Sequence, residues 1–299
     1  MNSPKKTSDY SFYQRHGYLI SKKLIPSDII DELVASYDTY IKNSKSYFFR
    51  QNKNYWTQNR KNKYGFVKDS FLDPHEFNKH PEFRDSFRKV IMHANLRERL
   101  QEILSEVKIK LMQSMFFDLN TETWAHADNW YLDSIPNGKL LGVWIALEDI
   151  DPEAGQFYVV KNTNKKIFEL NVSELISDKL HQKKVNEYIS RNHSDVFKPE
   201  LKKGDVVFWN SKVLHGSTKT MNPKLSRKSI TGHFMPAWCE FGNIKHKFNR
   251  ELEFKEYNGF EYRIDDKKYT PLTNIKTKAI KIIFNQFPSL VKLKRKLLN

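Results

Sequence analysis

The sequence is poor in cysteine and has no long apolar run. Cys239 is the only cysteine among 299 residues, which excludes an intramolecular disulfide and suits a reducing compartment. No apolar segment approaches the roughly 18 residues that a membrane-spanning helix needs, and the first residues lack the apolar core of a signal peptide. No internal repeat of fixed period is present. We therefore expect a cytoplasmic protein with a substantial core and no membrane span.

Acidic residues are missing from two stretches of a chain whose net charge is +16. Residues 42–68 contain eight Lys or Arg, residues 275–299 contain seven, and neither stretch has an Asp or Glu. The first stretch also contains aromatic residues, a composition that can bind single-stranded nucleic acid by stacking and phosphate contacts. It can equally form an active-site flap for an anionic substrate, or be a solvated loop. No recognisable nucleic-acid-binding motif accompanies it, so nucleic acid is the less expected partner.

The last 25 residues alternate apolar and basic positions at helical spacing. Ile275, Ala279, Ile282, Ile283 and Phe287 share one helical face, and Pro288 suits the first turn of a second short helix. Two interpretations stay open: a pair of helices that close the core, or a basic amphipathic tail that lies on an anionic membrane surface. The predicted organisation is thus a catalytic domain at 1–274 and a tail at 275–299.

Patterns of apolar residues predict the fold class. Helical spacing predicts a short helix after Ser11, a helix from an N-cap at Ser27 to about residue 41, and another from residue 81 to about 106. Strand patterns dominate from residue 107 onward, interrupted by a helical insertion at about 171–198. We therefore predict a mainly β fold with flanking helices and a double-stranded β-helix core, the jelly roll of cupin-like proteins.

Three histidines in the helical segments are predicted to have no catalytic role. His93 lies in the second long helical stretch and is expected to be structural. His181 and His193 lie in the insertion and are expected to be exposed. The insertion separates two strands of the core, where it can form a lid over the mouth of the site.

The strongest chemical pattern is His126-Ala127-Asp128. On a strand, alternate side chains point to one face, so the imidazole and the carboxylate would be adjacent ligands for a divalent metal. His215, which follows a hydrophobic strand at 206–209, offers a third ligand. Two His and one carboxylate form the facial triad of non-haem Fe(II) oxygenases, which leaves coordination positions open. A lone His-x-Asp is weak evidence, since a surface His beside an ordinary acid is common.

Over roughly residues 10–236 the sequence resembles the phytanoyl-CoA dioxygenase family of Fe(II)- and 2-oxoglutarate-dependent oxygenases, most densely from 126 to 236. The resemblance implies that His126, Asp128 and His215 bind Fe(II). It also implies that Arg227 pairs with the distal carboxylate of 2-oxoglutarate, for which a guanidinium fork is well suited. The family's usual Gln after the first His is Ala127 here, and its usual Pro-Gly-Ser-His turn is replaced at 161–164.

Further residues are candidates for the walls of the site. Ser229, two residues beyond Arg227 on the same strand face, is expected to add a hydroxyl to the cosubstrate's carboxylate. Gln113 could face the cosubstrate or lie on a partly exposed face. Candidates for the substrate pocket are aromatic, and each could instead belong to the core: Trp124, Trp130, Tyr131 and Trp144.

The resemblance implies that O2 oxidises an unactivated C–H bond while 2-oxoglutarate is converted to succinate and CO2. Halogenases of the family need the position of Asp128 vacated for a halide, so the carboxylate favours hydroxylation. The expected substrate is a small molecule, anionic or linked to a carrier. Two other classes stay open: a catalytically silent jelly-roll protein that binds metal or ligand, and an oxygenase directed to nucleic acid.

Overall fold

The computed structural model describes residues 8–165, 178–243, 247, 251–265 and 270–286. The helices in these ranges are α1 (Ser8–His16), α2 (Ser27–Ser36), α3 (Pro81–Ile91), α4 (Ala94–Leu104), α5 (Asp178–Arg191) and α6 (Pro271–Gln286). The strands are β1 (Tyr18–Ser21), β2 (Phe48–Arg50), β3 (Tyr55–Thr57), β4 (Phe71–Leu72), β5 (Ile109–Phe117), β6 (Asp133–Ile135), β7 (Leu141–Ala146), β8 (Phe157–Val160), β9 (Val196–Phe197), β10 (Val206–Asn210), β11 (His215–Ser217), β12 (Ser229–Pro236), β13 (Glu240–Gly242), β14 (Glu253–Tyr257) and β15 (Phe260–Ile264).

A large, mostly antiparallel sheet runs through the protein in the order β1-β10-β7-β12-β5-β4-β2-β3. β15, with its hairpin partner β14, adds to β5 by parallel pairing. A smaller sheet has the order β11-β8-β9. Every residue of β7 and of β12 is buried, because both faces of these central strands are covered.

Alternation along the central strands sends successive side chains into two different cores. On one face, Val143 and Ile145 of β7 pack in a cluster with residues of α2, α3 and α4. On the other face, Trp144 of β7 and Trp209 of β10 pack with Phe157 of the smaller sheet. The layers are therefore helices, main sheet and small sheet, which confirms the predicted mainly β fold with flanking helices.

Several predicted helices differ in detail from those observed. The stretch from 81 to 106 forms two helices, because the chain leaves the helix at Met92 and His93 then caps α4 by accepting a hydrogen bond from the Asn95 backbone N–H at 3.2 Å. His93 thus has the structural role expected of it. At α2 the cap position is Pro26 rather than Ser27, which is the first helical residue.

The predicted insertion and tail are only partly covered by the described residues. α5 lies within the predicted insertion at 171–198, whereas residues 171–177 of that insertion fall outside the described ranges. α6 begins at Pro271, N-terminal to the predicted boundary at 274, and the predicted second helix beyond Pro288 also falls outside. No helix in the described ranges is both long and apolar enough to cross a bilayer.

Candidate metal centre

The His-x-Asp motif lies in a loop that pairs with β11. The backbone N–H groups of His126 and His215 each donate to the other residue's carbonyl, with N···O distances of 3.0 and 2.9 Å. The motif was predicted to form a strand. This was wrong except for the single bridge between His126 and His215, since Asp128 begins a 3-10 turn, Asp128–Trp130. The bridge still brings all three side chains together, and one ligand atom from each lies within 4.8 Å of the others.

Hydrogen bonds to the backbone orient both imidazoles. Nδ1 of His126 lies 2.8 Å from the Trp124 carbonyl oxygen, and Nδ1 of His215 lies 3.0 Å from the Val213 carbonyl oxygen. Because a carbonyl only accepts, each Nδ1 carries the hydrogen and each Nε2 keeps its lone pair. Both Nε2 atoms lie 3.6 Å from Oδ1 of Asp128. These three atoms fit a divalent metal, since the tautomer is fixed as metal-binding histidines require.

The second oxygen of Asp128 points away from the imidazoles of the triad. Its Oδ2 accepts a hydrogen bond from the Trp209 indole N–H at 2.8 Å, and Nε2 of His233 lies 3.4 Å from it. Gly142 faces Trp209 across β7 and β10, and a Cβ at this position would overlap the indole ring. The absence of a side chain at Gly142 therefore lets Trp209 reach Asp128. Neither Trp209 nor His233 was predicted to belong to the site.

Burial and neighbouring groups set the protonation states that a metal needs. Burial lowers the pKa of His215 to about 4, so its imidazole is neutral at pH 7. Burial alone would raise the pKa of Asp128, but the surrounding imidazoles of His215, His233 and His126 hold it well below its usual value. A neutral imidazole and an ionised carboxylate are the forms that bind metal.

Arg227 places a buried positive charge near the triad. Its side chain is 5% exposed, and burial lowers its pKa to about 10, which leaves it protonated at neutral pH. Nη1 donates to Oδ1 of Asn120 at 2.6 Å, the guanidinium lies over the Trp144 ring at 5.3 Å, and Nε has no hydrogen-bond partner. Among the described residues no carboxylate pairs with Arg227. A buried cation without a counter-ion is costly, so this position suits an anionic ligand.

Two polar side chains were candidates for the cosubstrate site, the Ser229 hydroxyl and the Gln113 amide, and they lie on β12 and β5. The Ser229 hydroxyl is fully buried at the start of β12 and has no hydrogen-bond partner in the described part of the chain. Thr231 and His233 follow on the same face of this strand. Gln113 of β5 pairs in register with His233 and lines the cavity at the metal centre. The two predicted polar residues therefore lie on adjacent strands of the main sheet.

A cavity of about 380 Å³ opens onto the triad. Its lining includes Arg227, Gln113, Trp124, Tyr131 and Trp144, which were all candidates for the site. Four of the five aromatic and amide candidates therefore line the same cavity as the triad.

Trp130, also predicted as a pocket residue, does not line this cavity. It is buried and stacks on His181 of α5, with ring centroids 4.1 Å apart and an interplanar angle of 2°. The prediction that His181 is exposed was wrong, because α5 packs this face against the metal-binding loop. His193 is exposed, as predicted.

The hairpin of β2 and β3, from the first basic stretch, forms part of the cavity wall. Gln51 and Asn54 in its turn line the cavity. Two cations of this basic stretch bind Asp69 instead of lining the cavity. Lys53 pairs with its carboxylate at 3.0 Å, and Arg60 makes two hydrogen bonds to it at 3.1 and 3.2 Å. The hairpin therefore presents amides, rather than these cations, to the metal centre.

A larger cavity, about 650 Å³, shares Leu72 with the one at the triad. Its lining is rich in aromatic residues of the hairpin region, namely Tyr47, Phe48, Phe49, Trp56 and Phe77. It contains none of the predicted ligands. The group of close ligand atoms, rather than cavity size, therefore identifies the candidate site.

Known structures share this fold at low sequence identity. The carbocyclase SnoK from nogalamycin biosynthesis, described as non-haem and α-ketoglutarate dependent, superposes with a TM-score of 0.59 at 15% identity over 80% of this chain and 88% of that chain. EctD from S. alaskensis with bound Fe gives 0.58 at 14% identity over 83% of both chains. HygX from Streptomyces hygroscopicus, with nickel, 2-oxoglutarate and hygromycin B bound, gives 0.53 at 12% identity over 78% and 88%. These likenesses confirm the predicted jelly-roll core.

Sequence comparison identifies the family directly. Among curated protein sequences, none matches this chain. The sequence profile of the family described as phytanoyl-CoA dioxygenase, however, matches residues 13–229, well over half of the chain. That range contains the triad, Arg227 and every residue of the cavity lining except Thr231 and His233. The chain therefore belongs to the phytanoyl-CoA dioxygenase family and is a 2-oxoglutarate-dependent dioxygenase.

Proposed function

We propose that this enzyme hydroxylates an unactivated C–H bond of a small molecule, with Fe(II) bound by His126, Asp128 and His215. The observation that carries the proposal is the orientation of the two imidazoles, whose Nε2 lone pairs both face Oδ1 of Asp128. Two imidazoles and one carboxylate suit non-haem Fe(II). The metal and 2-oxoglutarate, when bound, supply the oxidising power, and succinate and CO2 are released.

Arg227 is the proposed anchor of 2-oxoglutarate. This cosubstrate has two carboxylates, and the one remote from the metal needs a cation and hydrogen-bond donors. Arg227 offers a buried guanidinium with an unpartnered Nε, and Ser229 offers a buried hydroxyl without a partner. Both groups gain a partner if the distal carboxylate binds between them, as charge-assisted hydrogen bonds favour. Gln113 lines the same cavity and is a further donor for the cosubstrate.

The rest of the cavity favours an uncharged reacting group on the substrate. Beyond the ligands, His233 and Arg227, no described residue that lines it is acidic or basic. Besides the aromatic residues Trp124 and Tyr131, the lining includes side chains with hydroxyl and amide groups: Gln51, Asn54, Thr121, Thr123 and Thr231. Such a lining suits a compact group with hydroxyls and an apolar face, for example a hydroxylated ring.

An anionic or carrier-linked substrate, as the sequence suggested, is then expected to keep its charged part outside. The cavity lies near the lower end of the usual range for ligand sites, about 300–1,000 Å³, and 2-oxoglutarate occupies part of it. Only a small part of a larger substrate can reach the triad. A phosphate or carrier arm would extend from the mouth, where Gln51 and Asn54 are exposed.

The decisive experiment measures succinate formation across a panel of metabolites and follows the product under isotopically labelled O2. We expect stimulation by an uncharged hydroxylated compound or its phosphorylated derivative, and one labelled oxygen atom in the product. The structural relatives include an epimerase, SnoN, and a carbocyclase, SnoK, so the fold itself does not decide the outcome. A turnover product without a new oxygen atom would rule out hydroxylation.

The same experiment separates the two rival functions. A silent binding protein would bind 2-oxoglutarate and metal but release no succinate with any compound, including in the absence of substrate. An oxygenase directed to nucleic acid would be stimulated by DNA or RNA and retained on it in a strongly salt-dependent manner. The pairing of Lys53 and Arg60 with Asp69 disfavours the second alternative, because those cations are engaged within the protein.

A further inference from the structure

We propose that His233 is a positioning residue that, with Trp209, holds the Asp128 carboxylate in a one-oxygen binding orientation and thereby raises the affinity of the centre for Fe(II). The proposal rests on the proposed function for the identity of the metal ligands. It assigns a role to a histidine that the ligand set leaves out.

The two oxygens of Asp128 have different surroundings. Oδ1 faces Nε2 of His126 and of His215, at 3.6 Å from each. Oδ2 faces the opposite way, towards the Trp209 indole N–H at 2.8 Å and Nε2 of His233 at 3.4 Å. A carboxylate oxygen has two lone pairs, and the indole occupies one of them. Nε2 of His233, 3.4 Å away, is close enough to become a donor to the other after a small shift.

His233 itself lacks any other partner that would explain its burial. Its side chain is 3% exposed, and neither ring nitrogen has a hydrogen-bond partner among the described residues. The Nε2···Oδ2 distance slightly exceeds the usual N–H···O range of about 2.7–3.2 Å. Catalytic and ligating hydrogen bonds are often longer before the ligand is bound. Closure of this contact would give Nε2 of His233 a partner and complete the contacts of Oδ2.

A packing role or direct ligation would explain His233 less well. On β12, Ile230 and Phe234 are the residues that pack into the helix-facing core, and they lie on the face opposite to that of His233. At 233 an apolar residue would pack equally well without burying two polar nitrogens. His233 is also absent from the group of mutually close ligand atoms, and its Nε2 lies against Oδ2 of Asp128.

Two donors on Oδ2 would keep this oxygen from joining Oδ1 on the metal. The carboxylate then occupies one coordination position, which leaves room for both oxygens of 2-oxoglutarate and for O2. Partners of metal ligands act in this way in general, and their loss typically weakens metal binding about 10- to 100-fold. Without His233, the carboxylate of Asp128 can rotate more freely about its side-chain bonds. The triad is then held less firmly in the arrangement that binds the metal.

The test compares Fe(II) affinity of the metal-free protein, measured anaerobically by competition with a chelator, in three variants. His233→Leu removes the donor and should weaken Fe(II) binding by about 10- to 100-fold. His233→Gln keeps an N–H donor at similar reach and should restore most of the affinity. His193→Leu makes the same substitution at an exposed histidine that does not line the cavity, and should leave the affinity unchanged.

A second measurement separates this proposal from the proposed function. With iron at saturation, we record the visible charge-transfer absorption on adding 2-oxoglutarate; it should be weaker in His233→Leu than in the wild type and His233→Gln. No absorption in the wild type would overturn the proposed function itself. Wild-type affinity in His233→Leu, or equal losses in the Leu and Gln variants, would overturn the role of His233. Should the Leu variant fail to fold, His233→Asn, which is too short to reach Oδ2, takes its place in the comparison.

Discussion

Replacement of Arg227 by alanine should remove the binding of 2-oxoglutarate while leaving the fold intact. In the protein without cosubstrate, the guanidinium is 5% exposed and has no carboxylate partner among the described residues. The free protein therefore bears the cost of a desolvated charge, which alanine removes. The lost hydrogen bond to Asn120 and the contact with Trp144 work in the other direction. We expect these effects to offset each other and the melting temperature of the free protein to change little.

The magnitude of the affinity loss follows from the buried charge pair. Removal of one partner from a buried pair costs about 3–5 kcal/mol. Because about 1.4 kcal/mol corresponds to a tenfold change in Kd, the expected loss is at least about 100-fold. The open cavity and the remaining Ser229 hydroxyl favour the lower end of the range. Arg227→Lys should restore only part of the affinity, because an ammonium group lacks the planar fork.

Two assays measure this loss. One is anaerobic titration of the Fe(II) protein with 2-oxoglutarate; the other is the rise in melting temperature on adding 2-oxoglutarate, which depends on the ratio of its concentration to Kd. Lys228→Gln is the matched control, since it removes a positive charge at the next residue, where the side chain pairs with Glu148 at 3.2 Å. An unchanged titration in Arg227→Ala would place the anchor elsewhere.

The metal ligands, a buried histidine and the C-terminal segment give further tests. Alanine at any one of the three ligands should lower turnover by orders of magnitude without unfolding the chain, whereas His193→Ala should have no effect; full turnover in all three would refute the metal assignment. Burial lowers the pKa of His75 to about 4, below the 6.5 of the unfolded chain, so the folded state loses stability as pH falls from 6.5 towards 4. Between pH 7 and 5 this histidine should contribute a loss of about 2 kcal/mol, and urea unfolding of His75→Gln should lack that part of the pH dependence. Finally, the full chain should sediment with anionic vesicles more than a chain ending at Asn274, because each basic residue contributes about 1 kcal/mol near such a surface; equal, negligible sedimentation would leave the tail as ordinary structure.

The three candidate ligands could be predicted from the sequence, although the backbone structure around them was predicted wrongly. A strand was expected for His126 and Asp128, but the chain turns at Asp128. The ligands converge because the backbone of His126 bridges that of His215, a contact between distant residues that no local pattern reveals. Residue chemistry therefore identified the three candidate ligands, while their geometry depends on long-range pairing.

His233 was missed although the sequence carries a signal for it. The alternation that places Ser229 on the face of Arg227 also places Thr231 and His233 there, while Ile230 faces the helices. Continuing the period of two along the strand would have predicted a second buried histidine at the site. The alternation predicts which face of the sheet His233 lies on. It does not predict that its neighbour there is Oδ2 of Asp128.

The interpretation of the first basic stretch depended on where its boundary was drawn. Counted from 42 to 68, the stretch has no acid, yet the next residue is Asp69, which is buried and binds both Lys53 and Arg60. The hairpin is thus held to the body of the protein by its own cations, and its turn presents the uncharged side chains of Gln51 and Asn54 to the cavity. Composition alone left an anionic partner and a solvated loop open for this segment, whereas its position favours contact with an uncharged part of the substrate.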